Sequence, residues 1–124
     1  LPKKIKNCLN KSMKITKNCK KIRVNLAINY GSKNEILNAF KILKKKNIKV
    51  SIKTFEKNLY TKGLPDPDIL IRTGAERRLS NFLLWQLSYS EIYFVKKLWP
   101  DFKINDFNNI LRHFKTVKRN FGKI

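Results

Sequence analysis

Apolar residues recur at helical spacing over two long stretches in the first half of the chain. The first stretch predicts a helix over residues 2–16, with Pro2 in its first turn and lysines on its solvent-facing side. The second predicts a helix that ends at about Lys45. Ser32 and Glu35 have the spacing of a capping box, so we expect this second helix to begin at Ser32.

Three more helices are predicted further along the chain. Thr54 is expected to cap one that carries apolar side chains at Phe55, Leu59 and Tyr60. Ser80 is the expected N-cap of a helix over residues 81–87. The last helix, over residues 104–119, is amphipathic and ends near Arg119.

Short apolar runs between these helices are typical of buried strands. We expect strands at residues 22–28, 69–71 and 91–95, the second of them entered through an extended segment that Pro65 and Pro67 impose. Because strands alternate with helices, the pattern predicts an α/β fold with a mainly parallel sheet flanked by helices. A length of 124 residues is that of a single domain, residues 1–124, with a core of its own.

Composition adds a strong and uneven positive charge. The net charge is +21, and residues 1–62 hold 18 of the 29 cations with only two acids. Such a charge is compatible with binding to nucleic acid, but few aromatic residues interleave with these lysines and no nucleic-acid motif is present. We interpret the lysines as a solvated basic surface produced by a compositional bias, with nucleic-acid binding kept as an alternative. The 42% hydrophobic content argues against disorder.

Several residues that often carry function have structural interpretations here. Cys8 and Cys19 lack metal-ligand spacing, and we expect reduced, structural thiols in a cytoplasmic protein. No secretory leader is visible, and no apolar run is long enough to span a bilayer, so the protein is expected to be soluble or peripheral. Trp85 and Trp99 are expected to pack in the core, and His113, alone on a predicted helix, is expected to have a structural role.

The candidate chemistry lies in residues 63–95, a stretch with no lysine in a chain that has 23. Its cations are all arginines, whose planar forks suit bidentate binding of phosphate. Arg72 follows a predicted strand, and Arg78 and Ser80 lead into a predicted helix, so the three can converge on one anion, best a pyrophosphate. Glu91, at the start of the next strand, offers one oxygen ligand for Mg²⁺.

Each of these residues also has a simpler interpretation. Ser80 can serve only as an N-cap, Arg77 as a solvated surface arginine, and Glu76 as the ion-pair partner of a neighbouring arginine. Glu91 can be a carboxylate at the rim of the sheet without a metal. The residues alone therefore indicate an anion site and leave catalysis open.

The segment YTKGLPDPDILIRTGAERRLSNFLLWQLSYSEIYFVKKLWPDF resembles the C-terminal signature of the cis-prenyltransferases, most closely the bacterial undecaprenyl diphosphate synthases. The resemblance extends upstream through VNLAINYGSKNEI and downstream into KRNFGK. It implies a dimeric enzyme that condenses isopentenyl diphosphate with an allylic diphosphate such as farnesyl diphosphate, with Mg²⁺ as cofactor. It also implies a parallel sheet flanked by helices around a tunnel for the growing chain, whose lipid product brings peripheral contact with a membrane.

Carried over residue by residue, the resemblance assigns the diphosphate of isopentenyl diphosphate to Arg72, Arg78 and Ser80. It makes Glu91 the carboxylate that joins the Mg²⁺ site, and it gives Glu76 a role in shaping the adjacent loop and the subunit contact. These assignments coincide with the anion site that the residue types indicate.

The chain also departs from the family pattern. The D-G-N-x-R-W motif is absent, so the N-terminal strands, the catalytic aspartate and the allylic site are expected outside this chain, and the isolated chain is expected to be inactive. Ala75 stands where the family mostly has glycine, and Lys33 where arginine is usual. Asn120 stands at an arginine that contacts a diphosphate across the dimer, unless Arg119 replaces it. A non-catalytic partner subunit of a cis-prenyltransferase is the alternative.

Overall fold

The computed structural model describes residues 1–122, and it combines helices with a pair of parallel strands, as an α/β fold does. Two short strands lie between the third and fourth helices, and a single 3-10 turn at Trp99–Asp101 leads into the last helix. The elements are α1 (Lys3–Ile15), α2 (Ser32–Lys45), α3 (Ile52–Glu56), β1 (Ile69–Thr73), β2 (Glu91–Val95) and α4 (Ile104–Phe114). The α/β class predicted from the sequence is confirmed.

Strands β1 and β2 pair in parallel, with Ile69 opposite Glu91 and Arg72 opposite Phe94. Both are five-residue runs rich in β-branched and aromatic residues, which favour extended backbone. Because the strands are parallel, their carboxyl ends meet at one edge of the sheet. Arg72 lies at that edge, one residue inside the end of β1 rather than just beyond it as expected.

A small apolar core joins α2 to α3 and to the segment that precedes β2. The ring of Trp85 lies 4.6 Å from that of Phe55, centroid to centroid. This confirms the prediction that Trp85 packs in the core. The fully or nearly buried members of the cluster are Ala39, Leu43, Phe55 and Leu59, with Ile36 and Trp85 packed against them.

The strand expected at residues 22–28 does not form. The segment is extended, but within residues 1–122 none of its backbone groups pairs with another strand. The apolar side chains at its even-numbered positions are exposed, 78% for Ile22 and 69% for Leu26. The prediction of a largely buried strand here is wrong for the described residues. A strand also requires a hydrogen-bonding neighbour, and the described residues supply none.

Two other predicted helices differ in their ends. The short helix is capped by Ser51, whose hydroxyl accepts from the Thr54 N–H at 3.1 Å, while Thr54 bonds back to the Ser51 N–H. Thr54 is thus the inner half of the capping box and not the cap. The last helix ends at Phe114, five residues before the predicted end, because the Thr116 hydroxyl bonds to the His113 carbonyl and the chain turns away.

The predicted capping box at the start of α2 is wrong. The residue before the helix is Gly31, which has no side chain to cap with, and Ser32 is the first helical residue. Glu35 is fully buried and directs its carboxylate away from the helix terminus. It accepts hydrogen bonds from the Tyr30 hydroxyl and, at 2.6 Å, from the Tyr60 N–H.

Three side chains expected to have structural roles are exposed. Cys8 and Cys19 are free, as expected of reduced thiols, but both are exposed and neither has a packing role. Trp99 is 73% exposed, so its prediction as a core residue is wrong.

None of the helices in residues 1–122 has both the length and the apolar character to cross a membrane.

Candidate functional site

The end of β1 turns sharply and brings its arginine to the surface of a loop. After Thr73 the backbone adopts positive φ at Gly74 (96°) and Ala75 (66°), and the N–H groups of these two residues bond to the carbonyls of Lys97 and Val95. Glycine accepts this left-handed conformation without cost, whereas alanine is strained in it. The glycine usual in the family at position 75 therefore has a steric reason.

The guanidinium group of Arg72 forms hydrogen bonds with the residues that follow this turn. Its Nη1 donates to the Ser80 hydroxyl oxygen at 3.0 Å and to the backbone carbonyl of Arg78. The Ser80 hydroxyl accepts from Arg72, so its own proton is available to a ligand. One arginine at the sheet edge thus orients both other predicted ligands of the anion site.

Arg78 lies at the solvent side of the same site. It forms an ion pair of 2.6 Å with Glu76, and both side chains are more than half exposed. This confirms the simpler interpretation of Glu76, that it pairs with a neighbouring arginine. An exposed pair of this kind is weak, so an incoming diphosphate can compete for Arg78. Arg77 is exposed, as expected of a solvated arginine.

The three predicted anion ligands share one cavity of about 340 Å³. Its polar wall includes Arg72, Arg78 and Ser80, residue types whose side chains carry donors that suit phosphate oxygens. Its other wall is apolar, which suits a short hydrocarbon group attached to the phosphate. The lining residues are Leu70, Ile71, Arg72, Thr73, Arg78, Leu79, Ser80 and Phe82.

The helix expected after Ser80 is absent, and with it the helix N-terminus that was to bind the anion. Ser80, Asn81 and Leu83 have positive φ values of 47°, 62° and 44°, which a right-handed helix excludes. The segment instead forms successive turns closed by short-range backbone bonds, such as Leu87 N–H to the Leu83 carbonyl at 3.0 Å. The site therefore depends on side chains and loop geometry rather than on a helix dipole.

The start of α2 fixes this loop from the opposite side. The Ser32 N–H donates to the Asn81 carbonyl and the Lys33 N–H to the Asn81 side-chain oxygen, both at 2.8 Å. In return the Ser32 hydroxyl accepts from the Leu84 N–H at 3.0 Å. Sequence reasoning missed Asn81, although the Ser-Asn pair is itself a turn signal that competed with the helical interpretation.

A buried polar network lies behind these contacts. The Gln86 Nε2 donates to Glu35 at 3.2 Å and to the Thr61 hydroxyl at 2.9 Å, and Gln86 is almost fully buried. Together with the bonds from Tyr30 and Tyr60, this places three kinds of donor around one carboxylate. The network ties α2 to the turns that follow the site.

Glu91 is not brought to the anion cavity. It pairs with Ile69 at the beginning of the strands, three residues before the level of Arg72, or roughly 10 Å at the rise of a β-strand. Its backbone N–H bonds to the Asp68 carbonyl at 3.0 Å. Within residues 1–122 no three acidic, histidine or cysteine side chains gather to hold a metal ion. The described residues therefore do not complete a magnesium site by themselves.

Arg119 occupies the same edge of the sheet as Glu91. Its Nη1 forms a 2.5 Å ion pair with Asp68, its Nη2 donates to the Tyr89 carbonyl at 3.1 Å, and its guanidinium carbon lies 4.8 Å from the centre of the Phe121 ring. These contacts hold the C-terminal segment against the chain. Arg119 is thus engaged within its own chain, whereas the family's arginine at position 120 was expected to reach a diphosphate in the dimer.

Comparison with known sequences identifies the family. The sequence model of the prenyltransferase family, described as "Putative undecaprenyl diphosphate synthase", matches residues 1–122. The chain belongs to this family. An isoprenyl transferase of Oceanobacillus iheyensis is 43% identical to this prenyltransferase chain over 131 residues, and one of Thermotoga maritima is 42% identical over 127. The chain spans about half the length of these relatives, 52% and 54%.

Solved structures agree with this membership. The crystal structure of a probable undecaprenyl diphosphate synthase from Campylobacter jejuni superposes with a TM-score of 0.86 at 39% identity, over 99% of this chain and 58% of the other. Lavandulyl diphosphate synthase from Lavandula x intermedia, in complex with dimethylallyl diphosphate, gives a TM-score of 0.90 at 33% identity, over 99% and 56%. The family predicted from the motifs is confirmed.

Proposed function

We propose that this prenyltransferase chain binds the diphosphate of isopentenyl diphosphate, and that it does so as part of a cis-prenyltransferase that extends an allylic diphosphate such as farnesyl diphosphate. The observation that carries the proposal is the single cavity shared by Arg72, Arg78 and Ser80. Arginine forks and a hydroxyl match the donors that a diphosphate requires, and the apolar wall matches a five-carbon group. The names of the relatives favour the same chemistry.

In the proposed reaction these residues position one substrate. Arg72 holds Ser80 and the Arg78 backbone in place before the ligand arrives, so little ordering remains to be done on binding. The bound diphosphate then fixes where the five-carbon group lies against the allylic partner. We propose that the catalytic aspartate and the allylic site come from the part of the family's length that this chain does not span.

The experiment is calorimetric titration of the chain with inorganic pyrophosphate and with isopentenyl diphosphate. Arg78→Ala is expected to weaken both dissociation constants by about tenfold to a hundredfold, the value of charge-assisted hydrogen bonds. Arg77→Ala is the matched control, because it removes the same charge one residue away from the cavity. Equal losses in both variants would show general attraction to a basic protein and contradict a built site.

Magnesium, dimer formation and cytoplasmic location belong to the same proposal. Glu91 supplies one carboxylate, and further magnesium ligands come from substrate phosphates and from residues outside those described.

The exposed apolar side chains of Leu98, Trp99 and Ile104, at 62%, 73% and 68%, support a homodimer contact. The free thiols of Cys8 and Cys19 fit a reducing compartment.

The alternative is a non-catalytic partner subunit of a cis-prenyltransferase. Asn120, at the position where the resemblance implies an arginine that contacts a diphosphate, favours keeping it. The distinguishing assay is incorporation of radiolabelled isopentenyl diphosphate by the chain alone and with a relative's N-terminal half added in trans. We expect activity only in the mixture, and equal activity from the chain alone would contradict the split assignment of residues.

A further inference from the structure

Asn81 caps α2 from 48 residues away. The first N–H groups of a helix have no partner within it, and Gly31 at the N-cap position has no side chain to offer. Asn81 supplies two of the missing acceptors, its carbonyl for Ser32 and its side-chain oxygen for Lys33, each at 2.8 Å. A Cβ on Gly31 would lie 2.9 Å from the Asn81 side-chain nitrogen, so the glycine leaves the space that this contact needs.

The same residue sets the backbone conformation of the anion loop. Ser80 and Asn81 have φ values of 47° and 62°, in the left-handed region. Asparagine tolerates this region better than most residues that have a side chain. Serine has no such preference, so contacts with neighbouring residues must hold Ser80 in this conformation. Asn81, which follows Ser80 and is bonded to α2, is one of these neighbours.

The other side of this dipeptide carries the proposed ligand contact. The Ser80 hydroxyl accepts from the Arg72 guanidinium at 3.0 Å, and Arg72 also bonds to the Arg78 carbonyl. The loop from Arg78 to Asn81 is therefore fastened at one end to β1 and at the other to α2. Releasing either end frees the hydroxyl and the guanidinium to leave the cavity they share.

We propose that Asn81 is the positioning residue of the diphosphate site: its two oxygen atoms hold the N-terminus of α2 and thereby keep Ser80 in the left-handed conformation that places its hydroxyl on Arg72. Asn81 is not among the residues that line the cavity. It acts through Ser80 and not on the ligand. This proposal rests on the proposed function of the site.

Two variants separate the two roles of Asn81. Asn81→Gly keeps the left-handed backbone but loses the side-chain acceptor, and we expect it to weaken pyrophosphate binding by about fivefold. Asn81→Ala loses both features, and we expect a loss of roughly 20-fold. Hydrogen exchange at the Lys33 amide, which should become faster in both variants, reports the broken cap directly.

Asn47 provides a matched control. It has a φ of 50°, is exposed, and lies just beyond the end of α2, away from the cavity. Asn47→Ala therefore introduces the same backbone strain as Asn81→Ala. We expect Asn47→Ala to lower the midpoint of urea unfolding through this strain alone, by less than Asn81→Ala, which also loses the cap of α2, and to leave pyrophosphate affinity unchanged.

A double-mutant cycle with Ser80→Ala distinguishes positioning from general destabilisation. If Asn81 acts through Ser80, Ser80→Ala costs little further affinity once Asn81 is alanine, whereas independent effects multiply. Multiplying effects, or unchanged pyrophosphate affinity in both Asn81 variants, overturn the positioning role while the proposed function stands. A wild-type chain that does not bind pyrophosphate overturns the proposed function and this role together.

Discussion

Arg119 and Asp68 are 51 residues apart in the chain, and their side chains form a 2.5 Å ion pair at the edge of the sheet where both strands begin. The arginine side chain is only 21% exposed, while that of the aspartate is 68% exposed. The pair links the segment after α4 to the entry of β1. It thereby closes the C-terminal part of the chain onto the sheet.

Arg119→Ala is expected to lower the free energy of unfolding by about 1 kcal/mol. The variant loses a charge-assisted bond and two contacts with aromatic rings, and the exposure of Asp68 limits the value of the ion pair. Urea unfolding measures the change. The control is Lys118→Ala, which removes the same charge from an exposed neighbouring position and should change the free energy of unfolding by less than about 0.5 kcal/mol. If both variants lower it equally, the ion pair of Arg119 with Asp68 does not stabilise the fold.

Ala75→Gly is expected to stabilise the chain by roughly 0.5–1 kcal/mol. The left-handed conformation at position 75 strains alanine but not glycine, and this gain exceeds the entropy that glycine adds to the unfolded chain. Thermal unfolding at matched concentration provides the measurement. Ala27→Gly, in the extended segment, should give no gain, and stabilisation of both variants would point to an effect other than the turn.

Glu35→Ala should destabilise the chain by about 3 kcal/mol. The change leaves the Tyr60 N–H and the Gln86 side-chain amide without their acceptor in a buried region, and each unpaired buried donor costs about 1–3 kcal/mol. Glu56→Ala is the control, because Glu56 is exposed and accepts only a long bond of 3.3 Å from Trp85. If both variants unfold at the same urea concentration, the buried network contributes nothing.

The Tyr30 hydroxyl should make stability depend on pH in the alkaline range. Burial, and then the hydrogen bond to Glu35, raise the pKa of Tyr30 from 10.0 to about 12. Because the folded state holds this proton more tightly, the contribution is complete below pH 10 and is lost as pH rises towards 12.

The difference in unfolding free energy between the wild type and Tyr30→Phe isolates this group from the lysines that titrate in the same range. We expect the advantage of the wild type to shrink between pH 10 and 12. A difference that stays constant over that interval would mean that the hydroxyl titrates equally in the folded and unfolded chains.

The pattern of apolar residues along the chain predicted the helices and strands whose formation depends mainly on nearby residues. The apolar periodicity of α2 located that helix and its end at about Lys45, and the five-residue apolar run of β2 gave the bounds of that strand. The helix predicted at residues 81–87 failed because apolar spacing does not report φ, and the left-handed residues Ser80 and Asn81 are stabilised by distant contacts with Arg72 and α2.

The site was predictable in part for the same reason. Residue type and position at a strand end pointed to Arg72, Arg78 and Ser80, which the structure brings together. The predicted parallel sheet, with Arg72 at the end of one strand and Glu91 at the start of the next, already separated Glu91 from the anion site, and the register of β1 against β2 gives the separation as three residues. Whether these residues bind diphosphate and magnesium stays a prediction.

The backbone of residues 22–28 has a consequence for how copies of this chain behave in concentrated solution. Its N–H and C=O groups, which have no strand partner among residues 1–122, lie beside exposed isoleucine, valine and leucine side chains and form a template on which a second copy can add a strand. Lys20, Lys21 and Arg23 oppose this by mutual repulsion. Since salt screens that repulsion, raising the ionic strength should turn a dispersed solution into one that forms β-rich assemblies.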